Sequence, residues 1–375
     1  MFDAIFDSTA WARVPFWFWG VVMFWFGCIV GSFLNVCIYR MPLGMSVVNP
    51  PSHCPHCKYA IPFYLNVPLV TWLWLGGKCK NCRAPISPRY FFVELLTGVT
   101  FLGCWLRYGD ESALLALAFS MFLAALITAT FIDFEHYIIP DEITLGGMAA
   151  GVLISTLLPS LHGETMITGG MMQSIIGLAA GGGLIYLILR AGKFFFGKQR
   201  FALPPNTKIV FTETALHLPD REIPYEELFY RRSDAIVIRA HTVELIDRGY
   251  REVRVRLALL ARELEIGDER FDSETCQHME VVTSELILPR EAMGLGDVKF
   301  MAAIGAFLGW QATIFSLMVS SMIGAAVGIT LVAFGKRELS SRLPYGPYIA
   351  MAAAIWVFAG KWIMQYYFPA TLPGL

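Results

Sequence analysis

Charge is scarce in this chain. Asp, Glu, Lys and Arg make up 16% of its 375 residues, against about 25% in soluble domains. The formal net charge is -1, and no basic cluster is interleaved with aromatic residues, which excludes nucleic acid as a partner. No small-x-small cleavage site follows the first apolar stretch, residues 14–39, and that stretch is too long for a signal peptide. It reads as a retained first span. Acidic residues are absent between Tyr39 and Tyr90. No glycine-rich dinucleotide fingerprint occurs.

What is plentiful is apolar sequence, at 56% of the chain. Several runs reach about 20 residues, enough for a helix to cross a ~30 Å hydrocarbon core. The expected fold is therefore an all-α polytopic membrane protein. Eight segments are predicted, at 15–38, 91–108, 112–132, 142–159, 169–190, 297–309, 311–334 and 345–367, with the sixth short and broken from the seventh at Gly309-Trp310. The run Gly181-Gly182-Gly183 lies within the fifth segment, where small residues let helices approach closely.

Loop charge orients the bundle. The 40–90 loop carries Arg40, Lys58, Lys78, Lys80, Arg83 and Arg89, and the loop after the seventh segment carries Lys336, Arg337 and Arg342. Loops predicted for the other side are poor in Lys and Arg. The positive-inside bias places the 40–90 loop in the cytoplasm and both termini outside. Five regions follow: a first span at 1–39, a cytoplasmic loop at 40–90, helices at 91–192, an insert at 193–291 and helices at 292–375. The insert is rich in charge and has alternating stretches such as Glu252 to Leu257 and Ala235 to Ile238, with a short helix expected over Glu226 to Arg232. It reads as a small soluble α+β domain whose start is marked by the basic, glycine-containing Lys193 to Arg200 and then Pro204-Pro205.

Two constellations carry chemistry. Cys54-Pro-His-Cys57 and Cys79-Lys-Asn-Cys82 form two C-x-x-C pairs in the cytoplasmic loop. Such pairs can hold zinc tetrahedrally in a closed, structural site. His53 and His56 are near enough to be alternative ligands, whereas Cys28, Cys37, Cys104 and Cys276 read as buried small residues. The second constellation is Asp133, at the end of the apolar run Ala113 to Ile132, with Asp297 in Gly294-Leu-Gly-Asp-Val-Lys299. Acidic groups at a membrane edge are costly unless used, and both fall at cytoplasmic helix ends. Two carboxylates can hydrolyse a peptide when one is ionised and the other protonated. Gly294 and Gly296 suit a backbone that must turn sharply and admit a substrate strand. Taken singly, Asp133 reads as a helix-end residue and Asp297 as an N-cap. Asp141 is a candidate cap of the fourth segment, and Glu94 is a membrane glutamate with Arg89 as one candidate partner.

Several stretches resemble the prepilin peptidases, bifunctional leader peptidase/N-methyltransferases of type IV pilus and type II secretion systems. They are Gly31 to Arg40, the tetracysteine loop, Arg89 to Gly98, Asp133 to Asp141, Gly294 to Lys299 and Pro344-Tyr-Gly-Pro347. The resemblance implies an inner-membrane aspartic protease that removes a short basic leader on the cytoplasmic side and then methylates the new N-terminus with S-adenosylmethionine. It places the catalytic pair on Asp133 and Asp297, with Gly294, Gly296 and Lys299 in support. Zinc falls on Cys54, Cys57, Cys79 and Cys82, and Asn35 and Glu94 are candidates for methylation. The implied partners are prepilins or pseudopilins and the lipid bilayer, and a homo-oligomer is left open. The insert departs from the compact family pattern. A presenilin-type intramembrane protease would share G-x-G-D but needs a late Pro-Ala-Leu, which is absent. A transporter or scaffold using the carboxylates as an ion site leaves the cysteine loop unexplained. The basic 40–90 loop is ill suited to a basic leader.

Overall fold

The computed structural model describes residues 14–196, 198–219, 222–225, 228–229, 234–245, 248–273, 278–289, 294–334 and 343–367. Lys336, Arg337, Arg342, Cys276 and most of the helix expected over Glu226 to Arg232 lie outside these residues. The chain divides into two compact units, one of residues 1–186 with 295–375 and one of residues 187–294.

The first unit is helical. In chain order it contains α1 (Phe16–Arg40), a single turn α2 (Val70–Trp74), α3 (Pro88–Tyr108), α4 (Ala113–His136) and α5 (Asp141–Leu157). There follow α6 (Ile167–Phe196), which runs on into the second unit, α7 (Leu295–Ala333) and α8 (Gly346–Tyr367). Five of these are long and apolar enough to cross a membrane, namely 16–43, 88–108, 113–136, 167–192 and 295–333. The break expected at Gly309-Trp310 is present: Gly309 has φ 83° and ψ 176°, so α7 is two helical pieces joined at a non-helical residue.

Close helix approach is written in the glycines. A Cβ on Gly31 would stand 2.8 Å from the Glu94 Cα, and one on Gly98 would stand 2.5 Å from the Cys28 sulfur, so α1 and α3 pack backbone to backbone. Gly181 does the same for α6 against the Met301 carbonyl of α7, at 2.3 Å. That is the packing role read for this glycine run. Leu34, Ile38, Val93, Phe101, Ala124 and Ile132 fill the core between α1, α3 and α4. Cys28, Cys37 and Cys104 are buried free thiols.

The strands expected in the second unit are present, while most of its expected helix lies outside the described residues. Its described residues form one eight-stranded antiparallel sheet, in the order β3-β2-β1-β8-β4-β5-β6-β7. The strands are β1 (Lys198–Phe211), β2 (Ala215–His217), β3 (Glu222–Pro224), β4 (Ile236–Glu244), β5 (Gly249–Ala258), β6 (Glu263–Ile266), β7 (Glu269–Asp272) and β8 (Met279–Pro289). Beyond α6, a one-turn 3-10 helix at Leu259–Ala261 is the regular helical element among them. Alternating β-branched and charged residues commit these segments to half-buried strands. Ile209, Ile236, Ile238, Val255, Leu264 and Val281 pack as the core. Pro204 and Pro205 lie within β1. They sit where the β1–β8 register shifts between Ala202 and Thr207, a bulge that tolerates residues without an N–H.

Candidate active site and cysteine cluster

Three sequence-distant segments meet at one end of the helical unit. Asp133 lies in the last turn of α4 and is 5% exposed. Its Oδ2 accepts a hydrogen bond from the Gly346 backbone N–H at 2.9 Å. Gly346 opens α8 within Pro344-Tyr-Gly-Pro347, so its amide is one of the orphan donors of a helix start. A Cβ on Gly346 would stand 2.7 Å from Asp133 Oδ2 and 3.1 Å from Ile139 Cδ1. A Cβ on Gly296 would stand 3.7 Å from the Ile139 Cβ. Ile139 thus bridges the Asp133–Gly346 contact and the start of α7, where Asp297 sits half-buried in the first turn.

Charged pairs hold this end together. Lys299 donates to Asp141 at 2.6 Å, joining the starts of α7 and α5. The expected cap role of Asp141 is not what the structure shows: Pro140 is the N-cap, without a side-chain cap bond, and the Asp141 carboxylate is committed to Lys299. Arg89 pairs with Glu135, two residues beyond Asp133, and not with Glu94. Glu94 is buried and accepts instead from the Leu69 backbone N–H at 2.8 Å. The partner of Glu94 is not legible from composition, because a backbone amide carries no residue code.

Asn35 is 2% exposed. Its amide nitrogen donates to the carbonyls of Tyr90 at 3.1 Å and Gly31 at 3.3 Å, while Oδ1 is buried and accepts no hydrogen bond among the described residues.

The cysteines converge as expected. The four Sγ atoms of Cys54, Cys57, Cys79 and Cys82 all lie within 4.8 Å of one another. Cys54–Cys82 is 3.8 Å and Cys57–Cys79 is 4.0 Å. A tetrahedron with ~2.3 Å Zn–S bonds has S–S edges of about 3.8 Å, so the cage fits zinc. The two knuckles repeat one geometry. Cys54 N–H bonds to Tyr59 C=O and Cys79 N–H to Ala84 C=O, and Lys58 and Arg83, each just after the second cysteine, take φ of 58° and 61°. The Tyr59 backbone and the Asn81 side chain pull the Cys57 thiol down to about 6, while burial and the neighbouring thiols push Cys82 up to about 11, so the four sulfurs share protons as one group. Among the described residues the cluster consists of the four cysteines; His53 Nδ1 lies 2.9 Å from the Pro51 carbonyl, and His56 is exposed.

Comparison with known proteins decides the family. The model of the bacterial peptidase A24 N-terminal domain matches residues 25–108. The model of the type IV leader peptidase family matches 120–201 and 276–329. The chain belongs to the type IV leader peptidase family. Among its relatives, the prepilin leader peptidase/N-methyltransferase of Aeromonas hydrophila is 27% identical over 94% of both chains. That of Burkholderia pseudomallei strain 1026b is 25% identical over 89% of this chain and 83% of the relative. That of Myxococcus xanthus reaches 43%, over 36% of this chain and 40% of its own length. No solved structure matches the chain. The family match stops at 201 and resumes at 276, so most of the sheet lies outside the leader peptidase pattern.

Proposed function

We propose that Asp133 and Asp297 are the reacting carboxylates of a membrane aspartic endopeptidase. It removes the leader of type IV prepilins or type II secretion pseudopilins at the cytoplasmic membrane face. Prepilin cleavage and N-methylation are the activities of this family member, an enzyme of the bacterial inner membrane. The observation that carries the residue assignment is the meeting of Asp133, Gly346, Ile139 and the Gly296 turn at one end of the bundle.

Peptide hydrolysis by two carboxylates proceeds when one activates water and the other, protonated, polarises the scissile carbonyl. The proton belongs to the pair and not to either residue. The Gly346 N–H fixes the Asp133 carboxylate, and the Lys299–Asp141 pair fixes the end of α7 from which Asp297 projects. Gly294 and Gly296 leave room for a substrate strand beside it.

Eight apolar helical pieces, counting α7 as two, would cross the bilayer with this end in the cytoplasm. The basic 40–90 loop supports that orientation. It enters α3 at the same end, because Arg89 in the first turn of α3 reaches Glu135.

Cys54, Cys57, Cys79 and Cys82 would hold a structural zinc that folds a proline-rich loop otherwise short of core. The methyl donor is S-adenosylmethionine, as the N-methyltransferase relatives imply. Asn35 and Glu94 would serve it. The buried Asn35 Oδ1 is an acceptor without a donor, and Glu94 supplies negative charge for a cationic sulfonium compound. When bound, the donor supplies a methyl group to a free amine. Asn35 and Glu94 would orient it.

The test is a reaction in membranes with a type IV prepilin, with and without S-adenosylmethionine, read by mass spectrometry of the product N-terminus. The expected product lacks its leader in both and carries one methyl group only with the donor. An uncut prepilin contradicts the reading.

A further inference from the structure

The cysteine loop carries an apolar face that its own fold does not cover. In α2, Val70, Leu73 and Trp74 stand at i, i+3 and i+4, on one side of the turn, with Leu73 61% and Trp74 76% exposed. Phe63, in the 3-10 turn Phe63–Leu65 that precedes α2, is 89% exposed and stacks edge-on against Tyr64 at 5.8 Å.

The opposite side of α2 is moored. Leu69 is buried and gives its N–H to Glu94, and Trp72 packs on Phe91 of α3 at 5.2 Å. Leu69 itself holds φ 59° and ψ -52°, a costly backbone for leucine that the Glu94 contact fixes. A helix rises ~1.5 Å per residue, so Glu94 is about 9 Å along α3 from its start. The uncovered face of α2 is therefore held beside the first turns of a helix long and apolar enough to cross a membrane.

The charge around it has one sign. Lys58, Lys78, Lys80 and Arg83 are exposed, make no ion pair among the described residues, and no acidic residue lies between 40 and 90. The Lys80 ammonium sits 5.5 Å from the Tyr64 ring centre, which places cation and aromatic side by side. Apolar and aromatic anchors with a cationic border are the signature of an element lying in an anionic membrane interface.

We propose that the cysteine loop is an interfacial foot. Phe63, Leu73 and Trp74 sink into the headgroup boundary of the leaflet beside α3, and Lys78, Lys80 and Arg83 bind anionic phospholipid headgroups. The basic charge of the loop then serves the bilayer, and its poor match to a basic leader needs no further account. The foot stands whichever residues cut the prepilin.

The experiment places the photoreactive residue p-benzoylphenylalanine at Phe63 or at Trp74, one at a time, in the otherwise wild-type full chain. The protein is reconstituted in vesicles of phosphatidylcholine alone or mixed with phosphatidylglycerol, with and without prepilin, and irradiated. Phospholipid adducts at both positions are expected. Each cation near an anionic surface is worth about fivefold in partition, so adducts should be about tenfold or more stronger in the mixed vesicles. Lys78→Gln with Lys80→Gln and Arg83→Gln, checked for retained zinc, should remove that preference. Adducts to prepilin in place of lipid, no lipid adduct at either position, or equal adducts in the two vesicle types would overturn the proposal.

Discussion

Replacing Gly346 by alanine perturbs the hydrogen bond that fixes Asp133 and touches little else. The added methyl would stand 2.7 Å from Asp133 Oδ2 and 3.1 Å from Ile139 Cδ1, in a region 5% exposed at Asp133. The carboxylate must retreat about 0.7 Å to reach ordinary contact, close to the ~1 Å misplacement that costs about a hundredfold in rate. Retreat or rotation also breaks the 2.9 Å bond from the Gly346 N–H. A hydrogen bond to a charged group is worth about 1.5–3 kcal/mol. At about 1.36 kcal/mol per factor of ten, kcat for prepilin cleavage should fall about 10- to 150-fold. Gly346 directly precedes Pro347, where an added Cβ disfavours the helical backbone, so melting temperature and zinc content are measured to separate a loss of folding from a loss of rate. The assay is prepilin processing in detergent or membranes, with folding checked in parallel. A folded Gly346→Ala protein that cuts at the wild-type rate would refute the role given to this amide.

Four further outcomes follow from the same contacts. Gly309→Ala places a Cβ on a backbone at φ 83° and ψ 176°, a region open almost to glycine alone, and should cost about 1–3 kcal/mol in unfolding free energy, read by denaturant titration. His162 bonds Ser155, whose hydroxyl donates to the Ala306 carbonyl at 3.2 Å, beside the break in α7. Burial lowers the His162 pKa, against the Ala306 backbone contact and the Glu164 charge, which raise it. The folded state thus binds fewer protons, and stability should decline as pH falls from 6.5 through the folded value; a His162→Gln protein should lose that part of the slope in thermal melts. Asp141→Lys should slow cleavage by about two- to fivefold, as expected for an exposed pair worth about 0.2–1 kcal/mol, and Lys299→Asp in the same chain should restore it. Chelation or Cys54→Ser should expose the 41–87 loop to protease while one zinc per wild-type chain is released, measured by metal analysis.

How far these contacts were legible differs by level. The helices were legible because twenty apolar residues have few alternatives in lipid, and Gly309-Trp310 marked the break within α7. The cysteine cage was legible because paired C-x-x-C spacing has one tetrahedral solution. The sheet between 198 and 289 was only half legible. Alternation at Glu252 to Leu257 announced strands, but the order of strands depends on non-local pairing such as β1 with β8, which no local pattern encodes. The place of the proline pair inside β1 was not legible, since a bulge and a boundary favour the same residues. At the candidate site, Asp133 and Asp297 stood out as acids at apolar edges. The Gly346 amide that holds Asp133 did not, nor did the Leu69 amide that holds Glu94, because backbone donors are common to every residue type. Glu94 facing Leu69, and Arg89 facing Glu135, required the loop conformation to be known.

The most direct test of the central claim is cleavage of a type IV prepilin in membranes by wild type, Asp133→Asn and Asp297→Asn, each shown to be inserted and to hold zinc. Asparagine keeps size and hydrogen bonding while removing the acid. The account predicts full processing by the wild type and none by either variant. Processing by either variant at the wild-type rate would contradict it, and would return that carboxylate to a structural role at its helix end.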